Sequence, residues 1–348
     1  MSSSAISPCP KQDSFRLSSF FLQHWFVLGL CVAVALPFFL AYETISFFQA
    51  STSHTLLLAV FVIFFLQGLT LRLGEFAQVC TKPKAVLWVL VWNFCFTPLS
   101  AWVLSLVLAP WMSEERLMGF LFLSLLPTTV SSAIALVAMA RGSVVTSIVS
   151  TAASNLLAVV TVPFWVWVFF GIGTSDVGFT FGDTFLRLLK MIFVPLFLGQ
   201  TLRRLVPWLQ KASLSWVNVI CQILILWIIF LVFCGSVATG DWSEHSWMDL
   251  ALAFLVTLLF FAWVSASLWH ASSYSSLSRE QKIAVFFCGS QKGMATGAPL
   301  CTALFLNSGT EAGFPPVGII LLPLLLYHPL QLFLGGWFAT RLSLRAKP

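Results

Sequence analysis

Hydrophobic and polar positions along this chain fall into long apolar runs separated by short polar stretches. Crossing the hydrocarbon core of a bilayer as a helix takes about 20 apolar residues. Ten runs approach or exceed that length: 25–47, 54–72, 84–109, 116–140, 144–171, 183–206, 214–238, 247–270, 281–306 and 315–340. Their continuity predicts helices, because strands of a membrane barrel alternate between lipid-facing and lumen-facing residues. The expected fold is an all-α polytopic membrane protein with ten transmembrane helices.

Polar and helix-breaking residues interrupt two of the runs. The fourth holds "LPTTVSSAIA" (Leu126–Ala135) and the ninth holds "CGSQKGMATG" (Cys288–Gly297). With five helices per half, these are the fourth helix of each half, and the second half enters the bilayer from the opposite side. That arrangement is an inverted repeat. It divides the chain into a cytosolic tail (1–22), a first repeat (23–172), a second repeat (173–342) and a C-terminal tail (343–348). Pro127 removes a backbone donor, and Gly289, Gly293 and Gly297 lower the cost of unwinding. Unwound backbone at membrane depth survives only where protein or a wet cavity satisfies it. Paired breaks in helices 4 and 9 therefore predict a central site.

Composition excludes a water-soluble fold. The 348 residues are 59% hydrophobic and 9% charged, whereas soluble domains carry about 25% charged residues. The net charge of +6 sits in short loops between apolar runs, which argues for lipid and not nucleic acid as the surrounding partner. Lys11, Arg16, Arg72, Lys82, Lys84, Arg141, Arg203, Arg204, Lys211, Arg279, Lys282, Arg341, Arg345 and Lys347 fall on one side of the ten-helix topology. Arg116, Arg187 and the acidic Glu114, Glu115, Asp176, Asp241, Glu244 and Glu311 fall on the other. The asymmetry places both termini in the cytoplasm of a plasma or bacterial inner membrane. Eight cysteines without a CxxC pair read as packing residues. HExxH, GxSxG and paired mid-span carboxylates are lacking, so neither an enzyme nor a bound cofactor is expected.

Lys292 is the sharpest feature. It lies about twelve residues into its run, near mid-depth at roughly 1.5 Å per residue. An ammonium there costs at least about 2.5–3.5 kcal/mol on insertion scales. Glu43, Glu75, Glu280 and the loop acids all fall at helix ends or outside. The counter-charge is then a substrate anion, a set of backbone carbonyls, or nothing, with the lysine neutral for part of a cycle. Arg72, Arg203 and Arg341 lie at run ends and call for no function.

Uncharged polar groups gather at the two breaks: Thr128, Thr129, Ser131 and Ser132 in one, Ser290 and Gln291 in the other. The fifth run adds Ser147, Ser150, Thr151, Ser154 and Asn155, largely on one helical face. Any one of these hydroxyls serves equally as glue between helices. Gln67 and Asn93 are costlier amides that either join helices or belong to the site. His328, before Pro329, is expected to be a satisfied packing histidine.

The segments "QGLTL" (Gln67–Leu71), "NFCFTPLSAW" (Asn93–Trp102), "ARGSVVTSIVST" (Ala140–Thr151), "FCGSQKGMATGAP" (Phe287–Pro299) and "PLLLYHPLQL" (Pro323–Leu332) resemble the bile acid:sodium symporter superfamily, in its SBF-like branch. The resemblance implies a panel domain, a core domain and broken helices that cross within the core. It also implies sodium ligands at Gln291, Ser147, Thr151 and Asn93, with Ser131 and Ser132 as approximate matches. The chain departs from the pattern in two places. Phe287 stands where a sodium-site glutamate is expected, and Lys292 stands where an asparagine is expected. A hard cation wants oxygen ligands and usually a carboxylate. At least one sodium site is therefore expected to be weak or lost, and sodium coupling stays open.

The expected function is secondary active transport of a small organic anion by alternating access. Lys292 would be an internal cation at the crossover, able to exchange a proton because desolvation disfavours a charged form. Two alternatives are a sodium-coupled organic anion symporter and a non-transporting regulator on the same fold.

Overall fold

With no water at hydrocarbon depth, each backbone N–H and C=O must be satisfied within its own segment, and helices do this. In the computed structural model the described residues are 25–50, 52–70, 83–170, 181–211, 214–240, 242, 246–305 and 315–344, and among them there is no strand. The expected tail 1–22 lies outside them. So do Arg72, Glu75, Lys82, Asp176, Asp241, Glu244, Glu311, Arg345 and Lys347.

The chain begins with α1 (Trp25–Phe39), α2 (Tyr42–Ala50) and α3 (Thr52–Thr70). It continues with α4 (Pro83–Leu108), α5 (Glu114–Leu125), α6 (Ser131–Met139) and α7 (Val144–Phe170). Then follow α8 (Phe181–Leu205), α9 (Pro207–Lys211), α10 (Ser215–Ala238) and α11 (Trp247–Ser273). The last are α12 (Arg279–Ser290), α13 (Met294–Phe305) and α14 (Val317–Leu344). Among the described residues, five helices are long and apolar enough to span a bilayer: α4, α7, α10, α11 and α14.

The two interrupted runs fold as half-helix pairs. α5 stops at Leu126, whose backbone turns extended (ψ 145°), and Pro127 cannot supply the next helical donor. α12 starts from a capping box, in which Ser278 and Gln281 satisfy each other's backbone. It stops at Gln291, which is also extended (ψ 143°). The two breaks touch: the Gly293 N–H donates to the Pro127 carbonyl at 2.7 Å. A Cβ on Gly293 would lie 3.1 Å from the Thr128 oxygen and 3.3 Å from that of Pro127, so a larger residue would push the two breaks apart by a few tenths of an ångström.

α4 carries one wide π turn, Trp92–Phe96. Pro98 explains it. Proline cannot donate to the carbonyl four residues back, that of Phe94. The Trp165 indole N–H takes that oxygen instead, at 2.8 Å. Asn93 lies in this widened turn and is fully buried.

α3 packs along α8, and α14 along α5. Between α1, α3, α8 and α10 on one side and both breaks, α7 and α14 on the other lies a cavity of about 820 Å³.

Candidate functional site

Lys292 is 0% exposed, and its ammonium is held by oxygens alone. It donates to the Leu126 carbonyl at 2.9 Å, to the Ser124 carbonyl at 3.0 Å and to Asn93 Oδ1 at 3.5 Å. The two carbonyls close the C-terminal end of α5. A helix leaves its last carbonyls without intrahelical partners and carries partial negative charge there, so a cation is stabilised. The partners left open by the sequence are thus chiefly backbone carbonyls of the opposite break. The ammonium does not face the cavity.

The Lys292 peptide is clamped as tightly as its side chain. Its N–H donates to Gln331 Oε1 at 2.7 Å, and its carbonyl accepts from Gln331 Nε2 at 2.9 Å. The Tyr327 hydroxyl donates to the Ser290 carbonyl at 2.6 Å. α14 therefore supplies the partners that a continuous helix would have provided. Gln331 went unrecognised in the sequence. Its available signal is its place in "YHPLQ", three residues after His328 and so on the same helical face.

Gln291 is 1% exposed, and its Oε1 accepts the hydroxyls of Thr129 at 2.8 Å and Ser132 at 3.0 Å. This joins the two breaks a second time. Its Nε2 has no hydrogen-bond partner and faces Gly335. Asn93 Nδ2 donates to the Cys288 carbonyl at 3.2 Å and to Ser154 at 3.4 Å. Asn155 bonds the carbonyls of Thr128 and Thr151 and accepts from Thr296, a further residue not singled out in the sequence. Gln67 Nε2 donates to the Ala295 carbonyl at 3.0 Å, linking α3 to the first turn of α13.

The candidates divide into two groups. Gln67, Thr128, Thr129, Ser131, Ser132, Thr151 and Asn155 line the cavity. Lys292, Gln291, Ser290, Asn93 and Ser147 are buried behind its wall. Of the four sodium candidates, Asn93 takes the ammonium and Gln291 the two hydroxyls. Ser147 and Thr151 donate to carbonyls of their own helix, those of Val144 and Ile148. No hydrogen bond joins the four into one shell. Arg203, read as a run-end residue, is 7% exposed, lines the cavity and donates to the Leu69 carbonyl at 2.6 Å. His328 also lines the cavity, packed edge-on against Phe26.

Interrupted helices meet beside a cavity whose wall mixes polar and apolar side chains, an arrangement that fits the class of multi-pass membrane transporters. Residues 24–344 match the model of the SBF-like CPA transporter family, and the chain belongs to that family. It is 31% identical to an uncharacterised protein of Pseudomonas aeruginosa, over 93% of this chain and 94% of that one. It is 29% identical to the sodium/bile acid cotransporter 7-B of Xenopus laevis, over 80% of this chain and 79% of that one. In fold it is similar to the sodium proton antiporter MjNhaP1 of Methanocaldococcus jannaschii. That likeness has a TM-score of 0.58 and 13% identity, and covers 95% of each chain.

Proposed function

We propose that this protein is a secondary active transporter of a small organic anion, working by alternating access, with Lys292 as a fixed internal cation where the broken helices meet. The observation that carries this reading is the ammonium's shell: three oxygens at 2.9, 3.0 and 3.5 Å and no carboxylate among them. A positive charge in a dry site exerts its field over several ångströms. The N-terminal ends of α6 and α13, at Ser131 and Met294, line the cavity and add their own partial positive charge. An anion in the cavity thus faces three favourable sources of potential without touching the ammonium.

Ten spans in two inverted repeats, with both termini cytoplasmic, complete the proposal. Two contacts support opposed entry of the broken helices. The Ser143 N–H after α6 donates to the Glu280 carbonyl at the start of α12, and Phe122 of α5 meets Phe305 at the end of α13.

The test is equilibrium binding of carboxylates, sulfonates and taurocholate to purified protein, with and without sodium. Lys292→Ala is expected to weaken anion binding more than tenfold while the protein stays folded. Lys292→Arg should rescue poorly, since a guanidinium is planar and keeps its proton. Transport that demands sodium and persists in Lys292→Ala would overturn the reading. That outcome would favour a sodium-coupled symporter, the reading supported by the likeness to the Xenopus laevis sodium/bile acid cotransporter and by the oxygens of Gln291, Thr129 and Ser132 at the breaks.

A further inference from the structure

His328 lies one turn before Gln331 on α14 and is 7% exposed on the cavity wall. A glutamine amide offers one oxygen and two N–H donors. Here the Lys292 peptide fixes which end is which. Its N–H can only donate, so it faces Oε1, and its carbonyl can only accept, so it faces Nε2. The remaining Nε2 hydrogen is directed at His328 Nδ1, 3.0 Å away. Nδ1 must then be the acceptor, and the imidazole is the neutral form with its hydrogen on Nε2.

We propose that His328 is the proton-binding residue of the transport cycle, and that a proton on Nδ1 releases the unwound Lys292 peptide. The proposal rests on the transporter reading above and moves the protonation step from Lys292 to His328. The proton comes from cavity water and adds to the Nδ1 lone pair, with no heavy-atom bond made or broken. The ring then donates at both nitrogens, and two donors face each other across 3.0 Å. Turning the Gln331 amide half a turn would present Oε1 to Nδ1–H. The same turn would set Nε2 against the Lys292 N–H and Oε1 against its carbonyl. The amide can serve the imidazolium or the peptide, but not both. This is a discrete two-state element, which a coupling step requires.

Few other titratable groups surround the ring. Its neighbour Tyr327 donates to the Ser290 carbonyl, and the Lys292 ammonium is turned toward Ser124 and Leu126. Cys221 of α10 and Arg203 of α8 line the same cavity, and α13 contributes the buried Cys301. α1 contributes the Phe26 ring, and α6 has no titratable side chain. The acids of α5 and α11 lie at the far ends of those helices, where Arg116 pairs with Asp249. With no described carboxylate at this depth to trap the imidazolium, the proton can leave again.

Hydrogen exchange read by mass spectrometry over 289–297 tests this on purified wild-type protein without substrate. Rates are normalised to the unstructured chain at each pH. Exchange at the Lys292 N–H is expected to rise roughly tenfold between pH 8 and pH 4, the effect of losing a hydrogen bond of ordinary strength. His328→Gln should abolish the rise. Independently, ¹⁵N-histidine spectra of a chain with His24, His54, His245 and His270 replaced by glutamine should show a non-protonated Nδ1 at pH 8. A wild-type rate flat to pH 4, an equal rise in His328→Gln, or a protonated Nδ1 at pH 8 would overturn the proposal. Neither readout needs an anion, so failure of the Lys292 binding test leaves this one intact, and the reverse holds too.

Discussion

Asn93 and Lys292 show what side chains alone can and cannot reveal. The unusual depth of the ammonium was legible, because a lysine twelve residues into an apolar run has no interface within reach. Its partners were only partly legible. Two of the three are backbone carbonyls, which leave no trace in residue type, and the third is an amide 199 positions away in sequence. Asn93 accepts from the ammonium and donates to Cys288 and Ser154, so it can be tested from both ends. Asn93→Asp would place a carboxylate beside the ammonium and neutralise it. Anion binding is expected to fall more than tenfold, with the thermal unfolding midpoint unchanged or raised. Asn93→Leu removes the acceptor and leaves buried groups unpaired, at a cost of about 1–3 kcal/mol, read as a lowered midpoint. Unchanged anion binding in Asn93→Asp would separate the ammonium's charge from substrate recognition.

At the scale of elements, breaks were easier to read than contacts. Pro127 and the glycines around Lys292 announced the interruptions of both runs, because loss of a donor and backbone freedom act locally. The π turn at Trp92–Phe96 was missed even though Pro98 follows it by two residues, since proline is often absorbed near a helix start without widening a turn. The α3–α8 pairing was invisible for a different reason. Gly68 and Gly199 look like ordinary mid-run glycines. In the structure a Cβ on Gly68 would run into the Leu196 carbonyl, and one on Gly199 into the Phe65 carbonyl. Small residues let membrane helices approach backbone to backbone, but nothing in either segment names its partner. Gly68→Leu should therefore destabilise by about 1–3 kcal/mol or more through overpacking. Gly336→Ala, where an added Cβ meets nothing within 4 Å, should be neutral or stabilise by up to about 1 kcal/mol through helix propensity. Denaturation in detergent compares the two, and equal midpoints would mean that α3 and α8 are not packed this closely.

For the whole molecule, the cavity gives direction to the charge asymmetry seen along the chain. One wall carries Arg203, Leu214 and Asn218, near the ends of helices that the proposed topology puts on the cytoplasmic side, while the two breaks form its inner wall. The site is therefore expected to be reached from the cytoplasmic side in this arrangement, with the opposite access path closed. Arg279, exposed beside α12's capping box, lies on the same side in the proposed topology. Arg279→Cys and Asn218→Cys are predicted to react with a membrane-impermeant maleimide in inside-out vesicles, above the background of the parent cysteines, and to stay unlabelled from outside intact cells. Labelling of both from outside would reverse the orientation of the protein. Labelling of Arg279→Cys from inside with Asn218→Cys reactive only from outside would keep the orientation but place the open path on the other face.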